Sequence, residues 1–310
     1  MRVFLAGATG AIGRPLVKRL VDAGHAVVGT TRSEEKAADL RSRGAEAAVV
    51  DALDLDALRA AVLAARPDVV INQLTDLPPE FTPRYKYGKT NDLRAAVTPT
   101  LIDAGREAGA RRAIAQSVSF FLLPEGGWVK DEDAPTLDPA RLDDKFGPAV
   151  QATLDMERQV VEAEGMDGLV LRYGFFYGPG TWFAQGTSMA KVYRRRMAPI
   201  VSDGRGTFSF IHVEDAASAT VAALERGGSG IYNVVDDEPA PVTEWAPAFA
   251  AAVGGKPPRR VPLWLGKIVG GGNAVQMTTM RGASNAKAKR ELGWEPRYSS
   301  WREGFREGLG

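Results

Sequence analysis

The amino-acid sequence predicts an α/β protein with a doubly wound parallel sheet and a smaller, interleaved C-terminal lobe. Two observations predict this fold class. The chain opens on a short apolar run, and three glycines spaced three residues apart follow it at once: Gly7, Gly10 and Gly13. The first half of the chain then alternates strand and helix patterns, which is typical of parallel strands with helices on both faces of the sheet.

Strand and helix signals follow one another in a regular order through the first half. Pro15 falls in the first turn of its helix, where a missing N–H has no partner to lose. Gly24 is well placed to stop this helix, and Ser33 can cap the start of the next one. The predicted strands are 3–6, 26–31, 47–50, 68–71 and 113–117, and the predicted helices are 14–23, 36–43, 55–65 and 91–108.

The second half is less regular and contains a turn-rich stretch at 179–186. No repeat or low-complexity linker separates the halves, so the smaller lobe is expected to interleave with the sheet domain. The expected division gives 1–172 and 205–236 to the sheet domain, and 173–204 and 237–310 to the smaller lobe. Further predicted strands are 168–172, 208–211 and 231–235, and further predicted helices are 155–164, 243–253 and 286–292.

Composition narrows the function classes. The 310 residues include no cysteine and only two histidines, His25 and His212, which excludes thiolate chemistry and argues against a His-rich metal site. A formal net charge of +1 gives no electrostatic reason to expect nucleic acid or a membrane as a partner. The opening apolar run breaks at Gly7, as no signal peptide would, and no apolar stretch reaches membrane-spanning length. A cytoplasmic protein with a small-molecule partner is the expectation.

The glycine loop at 7–13 predicts a dinucleotide-binding site. Glycines allow a tight turn and let the backbone approach a pyrophosphate, while the helix N-terminus supplies free N–H groups and a positive dipole. A glycine-rich loop alone can be a simple turn, but here the strand before it and the helix after it are both present. Region 1–172 is therefore the expected dinucleotide-binding domain.

Short motifs in a specific order and spacing run through nearly the whole chain. They are GATGAIG at 7–13, Asp51–Ala52, Asn91, Ser117, LRYGFFYGP at 171–179, FIHVED at 210–215, Tyr232–Asn233 and ELGWEP at 291–296. Together they resemble an extended short-chain dehydrogenase/reductase of the NAD(P)-dependent epimerase/dehydratase family. The resemblance implies a Rossmann-type fold and a nicotinamide cofactor. A homodimer is a family-level expectation only.

The resemblance also assigns the cofactor-binding residues. Asp51 would accept a hydrogen bond from the adenine amino group, although it could instead cap the following helix. Ala52 would lie beside the adenine ring. The other implied contacts are the phosphate loop (Gly7, Thr9, Gly10, Ala11 and Ile12), the ribose (Leu74 and Thr75) and the nicotinamide (Tyr173, Gly174, Phe175 and Phe176).

Residues 29–33, at the end of the second strand, favour NADP over NAD. An NAD site usually carries an acid here, which binds the ribose 2′-OH and repels a 2′-phosphate. This stretch reads Gly-Thr-Thr-Arg-Ser, and the first acid is Glu34. Arg32 can face a phosphate through its planar fork, and its alternative role is that of a solvated loop residue.

The proton donor of the resembled family is absent from its usual place. That family uses a tyrosine and a lysine four residues later, because the lysine lowers the tyrosine pKa and makes the phenol a usable general acid. With Glu157 as the anchor after the motif, these positions fall on Ala149 and Thr153, and neither side chain can do the work. The one Tyr-x-x-x-Lys of the chain, Tyr85 to Lys89, lies far upstream of that helix.

Four other side chains are candidates for the missing catalytic role. Ser117 and Ser119 could hydrogen-bond a substrate carbonyl, or they could cap backbone groups at the strand end. Tyr173 and Tyr177 could donate a proton at the nicotinamide edge, and Tyr177 could equally pack in the pocket. The charged run 143–145 could enter the cleft or form a solvated turn before the helix.

The expected substrate pocket is apolar. Nucleotide-sugar members of the resembled family commonly present an asparagine where this chain has Phe175. With Phe176, Trp182 and Phe183 close by, this wall suits a hydrophobic small molecule better than a sugar diphosphate. The arginines at 194–196 could capture a carboxylate or phosphate, or form a solvated helix face.

Three functions therefore stay open at this stage. The first is an NADP(H)-dependent oxidoreductase that acts on a carbonyl or activated alkene of a small, rather apolar metabolite with a nonstandard proton donor. The second is a redox-neutral epimerase, dehydratase or isomerase that uses bound cofactor. The third is a non-catalytic NADP-binding sensor, which would explain why the cofactor loop is kept while the tyrosine and lysine are lost.

Overall fold

Seven parallel strands form the central sheet. The computed structural model describes residues 1–80, 82, 87–144 and 146–310, apart from the side chains of 269–274 and 276. The strands of the sheet are β1 (Arg2–Ala6), β2 (Ala26–Thr31), β3 (Glu46–Val49), β4 (Val69–Asn72), β5 (Arg112–Val118), β6 (Asp167–Tyr173) and β7 (Gly230–Val234). They pair in the order β7-β6-β5-β4-β1-β2-β3. The predicted fold class is confirmed.

Helices cover both faces of this sheet and build the smaller lobe. They are α1 (Gly13–Asp22), α2 (Glu34–Ser42), α3 (Leu55–Ala65), α4 (Gly88–Asp92), α5 (Thr98–Glu107), α6 (Gly147–Val161), α7 (Ser188–Arg194), α8 (Val213–Ala222), α9 (Val242–Ala252), α10 (Leu263–Thr279), α11 (Ala286–Leu292) and α12 (Trp301–Glu307). One apolar core packs α1 and α8 on the sheet, and a second packs α3, α5 and α6 on its other face. Within the described part of the chain, no helix is both long and apolar enough to cross a membrane.

The middle of the sheet contains a topological switch point between β1 and β4. From β1 the chain moves outward through β2 to β3, and then crosses back to β4 on the other side of β1. Ala6 at the end of β1 pairs with Asn72 at the end of β4, so the loops that follow both strands start side by side. In open sheets of this kind, ligands bind where such loops diverge.

Two helices differ from their predicted extents. The predicted helix 91–108 contains a π-helical turn, Leu93–Val97, between α4 and α5. Pro99 follows in the first turn of α5 and has no N–H to donate, which favours a changed hydrogen-bond pattern just before it. Helix α6 begins at Gly147 instead of residue 155, with Pro148 in its first turn. Its early buried residues are small, so the apolar periodicity there is weak.

The smaller lobe has an aromatic core. Trp245 and Phe249 of α9 pack with Phe210 and with Phe305 of α12, all of them almost fully buried. The predicted strand 208–211 is two short strands in the structure. The short strand pairs are Phe175–Tyr177 with Phe210–His212, Thr207–Phe208 with Ala240–Pro241, Ile200–Val201 with Arg260–Val261, and Val129–Lys130 with Gly282–Ala283.

Candidate cofactor and active site

The glycine loop is packed so closely that side chains would not fit at two of its positions. Gly7 has a φ of +93°, and a Cβ there would come 2.9 Å from the carbonyl carbon of Gln73. A Cβ on Gly13 would come 2.2 Å from the carbonyl oxygen of Gly7. These contacts hold the loop against the end of β4 and the start of α1, which is the geometry that brings backbone N–H groups close to a pyrophosphate.

The start of α1 is open to a ligand. No side chain caps this end, and its first turn carries no acidic residue. Gly10 and Ala11 are exposed and Thr9 is half-buried, whereas Ile12 is 5% exposed and belongs to the core. A negative group placed here would meet uncompensated N–H groups and the positive end of the helix dipole. Ile12 can therefore contribute only its backbone.

Arg32 is the free cation at the end of β2. Its side chain is exposed, and no hydrogen bond or ion pair engages it within the described residues. The hydroxyls beside it accept backbone hydrogen bonds and keep their own protons: Thr31 accepts from the Ser33 N–H at 3.4 Å and Ser33 accepts from the Lys36 N–H at 3.2 Å. Arg14, in the first turn of α1, is exposed in the same way; the sequence analysis passed over it, although it directly follows Gly13.

Asp51 does not cap the helix that follows it. That cap is Asp54, which accepts from the Ala57 N–H at 3.1 Å. One carboxylate oxygen of Asp51 accepts from the Leu53 N–H at 3.1 Å, and the side chain is exposed. Ala52 is 5% exposed and packs in the core beside the sheet. The helix cap that was the alternative role for Asp51 is therefore Asp54.

The segment after β4, which contains the predicted ribose contacts Leu74 and Thr75, runs beside the glycine loop. Gln73 donates its N–H to the Ala6 carbonyl at 2.9 Å, and Leu74 donates its N–H to the Asn72 side chain at 3.0 Å. Leu74 and Thr75 are half-buried. Their backbone is therefore fixed next to Gly7, at the switch point.

A buried polar network occupies the end of β5. Ser117 donates to Glu157 of α6 at 2.6 Å, and Glu157 binds Arg172 of β6 through both oxygens at 2.7 and 2.6 Å. All three residues are at most 4% exposed. The hydroxyl proton of Ser117 is thus committed to a carboxylate and is not directed at the cleft.

The positions of the missing tyrosine and lysine lie next to this network. Ala149, Thr153 and Glu157 share one face of α6, since they are four residues apart. Ala149 and Thr153 are 1% exposed, and the Thr153 hydroxyl donates to the Ala149 carbonyl at 2.7 Å. Because Glu157 meets Ser117, the preceding helical turn lies along the end of β5, towards Ser119. No acid or base stands at these two positions.

Two of the four sequence candidates have an uncommitted hydroxyl within the described residues: Ser119, and Tyr177, whose hydroxyl is buried without a hydrogen-bond partner in the lobe core. The Ser119 backbone N–H donates to the Tyr173 carbonyl at 2.9 Å, while its side chain has no partner within the described residues. The residue is 3% exposed. It can donate a hydrogen bond to a substrate at the end of β5.

Tyr173 is a core residue, which argues against its expected role as a proton donor. Its side chain is fully buried, and its hydroxyl lies between the Gln73 amide nitrogen at 3.1 Å and the Thr220 hydroxyl at 2.7 Å. Burial raises the pKa of Tyr173 to about 12. The side chain points into the packing between sheet and helices, so only the backbone of Tyr173 can line the cleft.

Tyr177 is also removed from the cleft. It lies in the aromatic core of the smaller lobe, fully buried against Phe210 and Phe305. Burial is the main cause that raises the pKa of Tyr177, and the nearby carboxyl groups of Asp236 and Asp215 add to it. The packing alternative fits Tyr177, and the proton-donor hypothesis does not.

An aromatic wall stands beside the end of β5. Phe120 stacks on Phe175 with ring centroids 4.4 Å apart, and Phe208 lies 4.7 Å from Phe175. Phe120 and Phe175 are half-buried, and Phe176 packs on Tyr173. The sequence analysis missed Phe120, whose place directly after Ser119 was a usable signal.

The expected wall residues of the smaller lobe divide between two roles. Phe183 is 6% exposed and packs on Phe249, so it belongs to the lobe core. Trp182 is half-buried and donates its indole N–H to the Pro78 carbonyl at 2.9 Å. Glu80 accepts from the Ser188 N–H at 2.6 Å. These two bonds tie the loop after β4 across the cleft to the smaller lobe.

The remaining charged candidates that the structure describes are exposed. Arg194 and Arg195 are exposed, and Arg196 donates to the Pro257 carbonyl at 2.7 Å, as in a solvated helix end. Asp143 accepts from the Phe146 N–H at 2.8 Å in the turn before α6. Lys145 and Tyr85 lie outside the described residues. Within the part of the chain that the structure describes, no cluster of His, Cys, Asp or Glu could hold a metal ion.

A tight glycine loop at the switch point of a parallel sheet is typical of dinucleotide-binding α/β proteins. The model of the NAD dependent epimerase/dehydratase family matches residues 3–234 of the chain. The chain therefore belongs to this family, as its motifs predicted, and the family is NAD(P)-dependent.

Two named relatives and one solved structure are similar to this chain. The chain is 43% identical to a 3-diazoavenalumate denitrifying reductase from a Streptomyces species, over 98% of this chain and 99% of that one. It is 26% identical to a 4-hydroxy-2-methyl-3-oxo-4-farnesyl-3,4-dihydroquinoline-1-oxide ketoreductase from Stigmatella aurantiaca, over 77% and 69% of the two chains. A human epimerase family protein solved with NADPH has the same fold, with a TM-score of 0.75 and 21% identity over 100% and 99% of the chains.

Proposed function

We propose that this protein is an NADP(H)-dependent reductase that acts on a small aromatic substrate carrying a diazo group. The observation that carries the proposal is a complete nucleotide cradle without the usual proton donor beside it. The tight loop at Gly7 and Gly13 is kept, while Ala149 and Thr153 stand where a tyrosine and a lysine would be. The loop suits a nicotinamide dinucleotide, because the N–H groups of Ala11, Ile12 and Gly13 at the start of α1 have no partner within the described residues and can bind a pyrophosphate.

The unpaired guanidinium of Arg32 supports NADP over NAD. A 2′-phosphate at the end of β2 would meet this exposed fork, with Arg14 of α1 as a second free cation. Charge-assisted bonds from arginine to phosphate are among the stronger hydrogen bonds in proteins. No residue from 29 to 33 is acidic, so nothing there repels the phosphate.

The substrate class is taken from the Streptomyces relative and from the aromatic wall. That relative is named as a denitrifying reductase of a diazo compound, and it aligns with this chain over almost its full length. Phe120 and Phe175 offer a flat apolar face beside the end of β5. An aromatic ring can stack on such a face.

Carbonyl reduction is the second candidate function. The free hydroxyl of Ser119 favours it, since this group can donate a hydrogen bond to a carbonyl oxygen. The Stigmatella relative is named as a ketoreductase. This candidate still needs a proton for the alcohol product, and the proton would have to come from water.

The test combines binding with turnover. Purified protein is titrated with NADPH and NADH, and the absorbance of the reduced nicotinamide is then followed with aryl diazonium salts and matched ketones. The proposal expects tighter binding of NADPH and enzyme-dependent oxidation of NADPH by the diazonium compounds. Tight binding without turnover of any compound would favour the non-catalytic sensor and contradict the proposal.

A further inference from the structure

We propose that this site transfers a hydride without protonating the substrate, and that it therefore reduces aryl diazonium ions at the ring carbon and discriminates against carbonyl compounds. This inference rests on the proposed function and says which chemistry the same site permits. The evidence for it is the hydrogen bonds and the burial of each polar side chain at the ends of β5 and β6.

Each candidate acid at these strand ends is already engaged or buried elsewhere. Ser117 gives its proton to Glu157, and Glu157 is held by Arg172 through both oxygens. Tyr173 is sealed between Gln73 and Thr220. These groups are bound to one another inside the protein, so they cannot deliver a proton into the cleft.

The other side chains expected near these strand ends, on α6 and after β5, are not acids either. On α6, Ala149 carries no polar atom, and Thr153 gives its proton to the helix backbone. On β5, Ser119 keeps a free hydroxyl, but general acids near neutral pH are drawn from His, Asp, Glu, Lys, Tyr and Cys. The described residues at this edge can orient a substrate without protonating it.

An aryl diazonium ion is a hydride acceptor that needs no proton. When bound, the reduced nicotinamide supplies a hydride. The pair of electrons that arrives with the hydride forms the new C–H bond at the ring carbon. The C–N bond breaks with its own electron pair going to nitrogen, so that N2 leaves. A cation and a hydride give two neutral products, an arene and N2, and the proton count does not change.

Reduction of a ketone, in contrast, requires a proton. Hydride transfer to its carbonyl carbon leaves an alkoxide, which needs a nearby donor to become an alcohol. General acid catalysis of this kind contributes roughly 10²- to 10⁴-fold to rates. A site with Ala149 and Thr153 in place of the donor loses that factor for ketones and loses nothing for diazonium ions.

The aromatic wall suits the charge as well as the shape of the substrate. Phe120 and Phe175 are stacked at 4.4 Å, Phe175 also lies 4.7 Å from Phe208, and both Phe120 and Phe175 are half-buried. The face of an aromatic ring attracts a cation and also accepts a stacked ring. The wall therefore binds an aryl diazonium ion without offering it a carboxylate, which would add to the ion as a nucleophile.

The origin of the new hydrogen tests the inference directly in the unaltered protein. NADPH carrying deuterium at the transferable position is used in ordinary water, and unlabelled NADPH is used in heavy water. We expect the arene to carry nicotinamide deuterium in the first case and no deuterium in the second. Deuterium from the solvent at the ring carbon would overturn the inference, because it would mean that hydride goes to nitrogen and a proton then goes to carbon.

This measurement distinguishes a failure of the proposed function from a failure of the inference about hydride transfer to carbon. The uncatalysed reaction of NADPH with the diazonium salt is subtracted in each case. If no enzyme-dependent arene forms, the proposed function fails and the inference fails with it. If arene forms with solvent deuterium, the proposed function stands and the inference alone fails.

A second test restores the missing donor. The double variant Ala149→Tyr/Thr153→Lys is compared with Ala149→Phe/Thr153→Met, which has similar bulk and no acid. We expect a gain of at least about tenfold in ketone reduction in the first variant only, with NADPH affinity unchanged in both. A folded, NADPH-binding Tyr/Lys variant that gains no ketone reduction contradicts the inference. The isotope measurement stands if either variant fails to fold.

Discussion

At the scale of single residues, Arg32 is the side chain on which cofactor choice depends. We expect Arg32→Ala to weaken NADPH binding by roughly 10- to 100-fold, because hydrogen bonds to charged groups contribute about 1.5–3 kcal/mol. NADH lacks the 2′-phosphate, so its affinity should stay within about twofold of the original value. Calorimetric titration with both nucleotides measures the two effects.

Arg41→Ala is the matched control for this prediction. Arg41 is also an exposed arginine, but it lies on α2 and pairs with Glu34. Its removal should leave both affinities unchanged. An equal loss of NADPH and NADH affinity in Arg32→Ala would contradict the assigned role, since such a loss would reflect a disturbed loop and no phosphate contact.

At the scale of secondary-structure elements, the Glu157–Arg172 pair joins α6 to β6. Both side chains are 5% exposed, so removal of one charge leaves the other buried without compensation. We expect Glu157→Gln to lower the free energy of unfolding by about 3–5 kcal/mol. Urea denaturation measures this loss.

Asp155→Asn, on the same helix, controls for helix effects. Asp155 pairs with Arg158 at 2.8 Å near the surface, and exposed pairs of this kind contribute about 0–1 kcal/mol. Equal losses in the two variants would show that the buried pair contributes no more than a surface pair.

His212 ties the end of the C-terminal helix to the short strand Phe210–His212. Its Nε2 donates to the Gly308 carbonyl at 3.0 Å, and its Nδ1 accepts from the Glu214 N–H at 3.2 Å, which requires the neutral ring. Burial lowers the pKa of His212, although the carboxylates of Asp215 and Glu214 oppose the shift. The folded state thus resists protonation more than the unfolded state does.

Because the folded state lowers the pKa of His212, the free energy of unfolding is expected to decrease as the pH falls. Above about pH 6.5 the His212 ring is neutral in both the folded and the unfolded state, and it contributes fully to the free energy of unfolding. As the pH falls below that value, the unfolded chain takes up a proton first, so the free energy of unfolding declines. We expect His212→Gln to flatten this decline more than His25→Gln, whose ring is only partly buried. Urea denaturation at several pH values measures the free energy of unfolding. The same dependence on pH in His212→Gln as in the unaltered protein would contradict the role given to His212.

At the scale of the whole molecule, the sequence was informative about the sheet and the glycine loop. Apolar periodicity and glycine spacing are local, and they predicted the strands and the cradle at Gly7 and Gly13. The absent tyrosine and lysine were also predictable, because the helix that holds Ala149 and Thr153 can be aligned from Glu157 alone.

Side-chain direction at the site could not be predicted in the same way. Tyr173 ends a strand of the main sheet, whereas Tyr177 lies in a short strand that pairs with Phe210–His212 in the other lobe. Their burial depends on which elements cover them, and that is a long-range property. The bond from Ser117 to Glu157 likewise joins residues forty positions apart.

The central claim is that this protein uses NADPH as a hydride donor at a site where no described residue serves as the proton donor. The most direct measurement compares kcat/KM for an aryl diazonium salt and for the aldehyde with the same ring, both with NADPH and with the uncatalysed rate subtracted. The account predicts a preference of roughly 10²-fold or more for the diazonium ion. Equal or faster reduction of the aldehyde would contradict it.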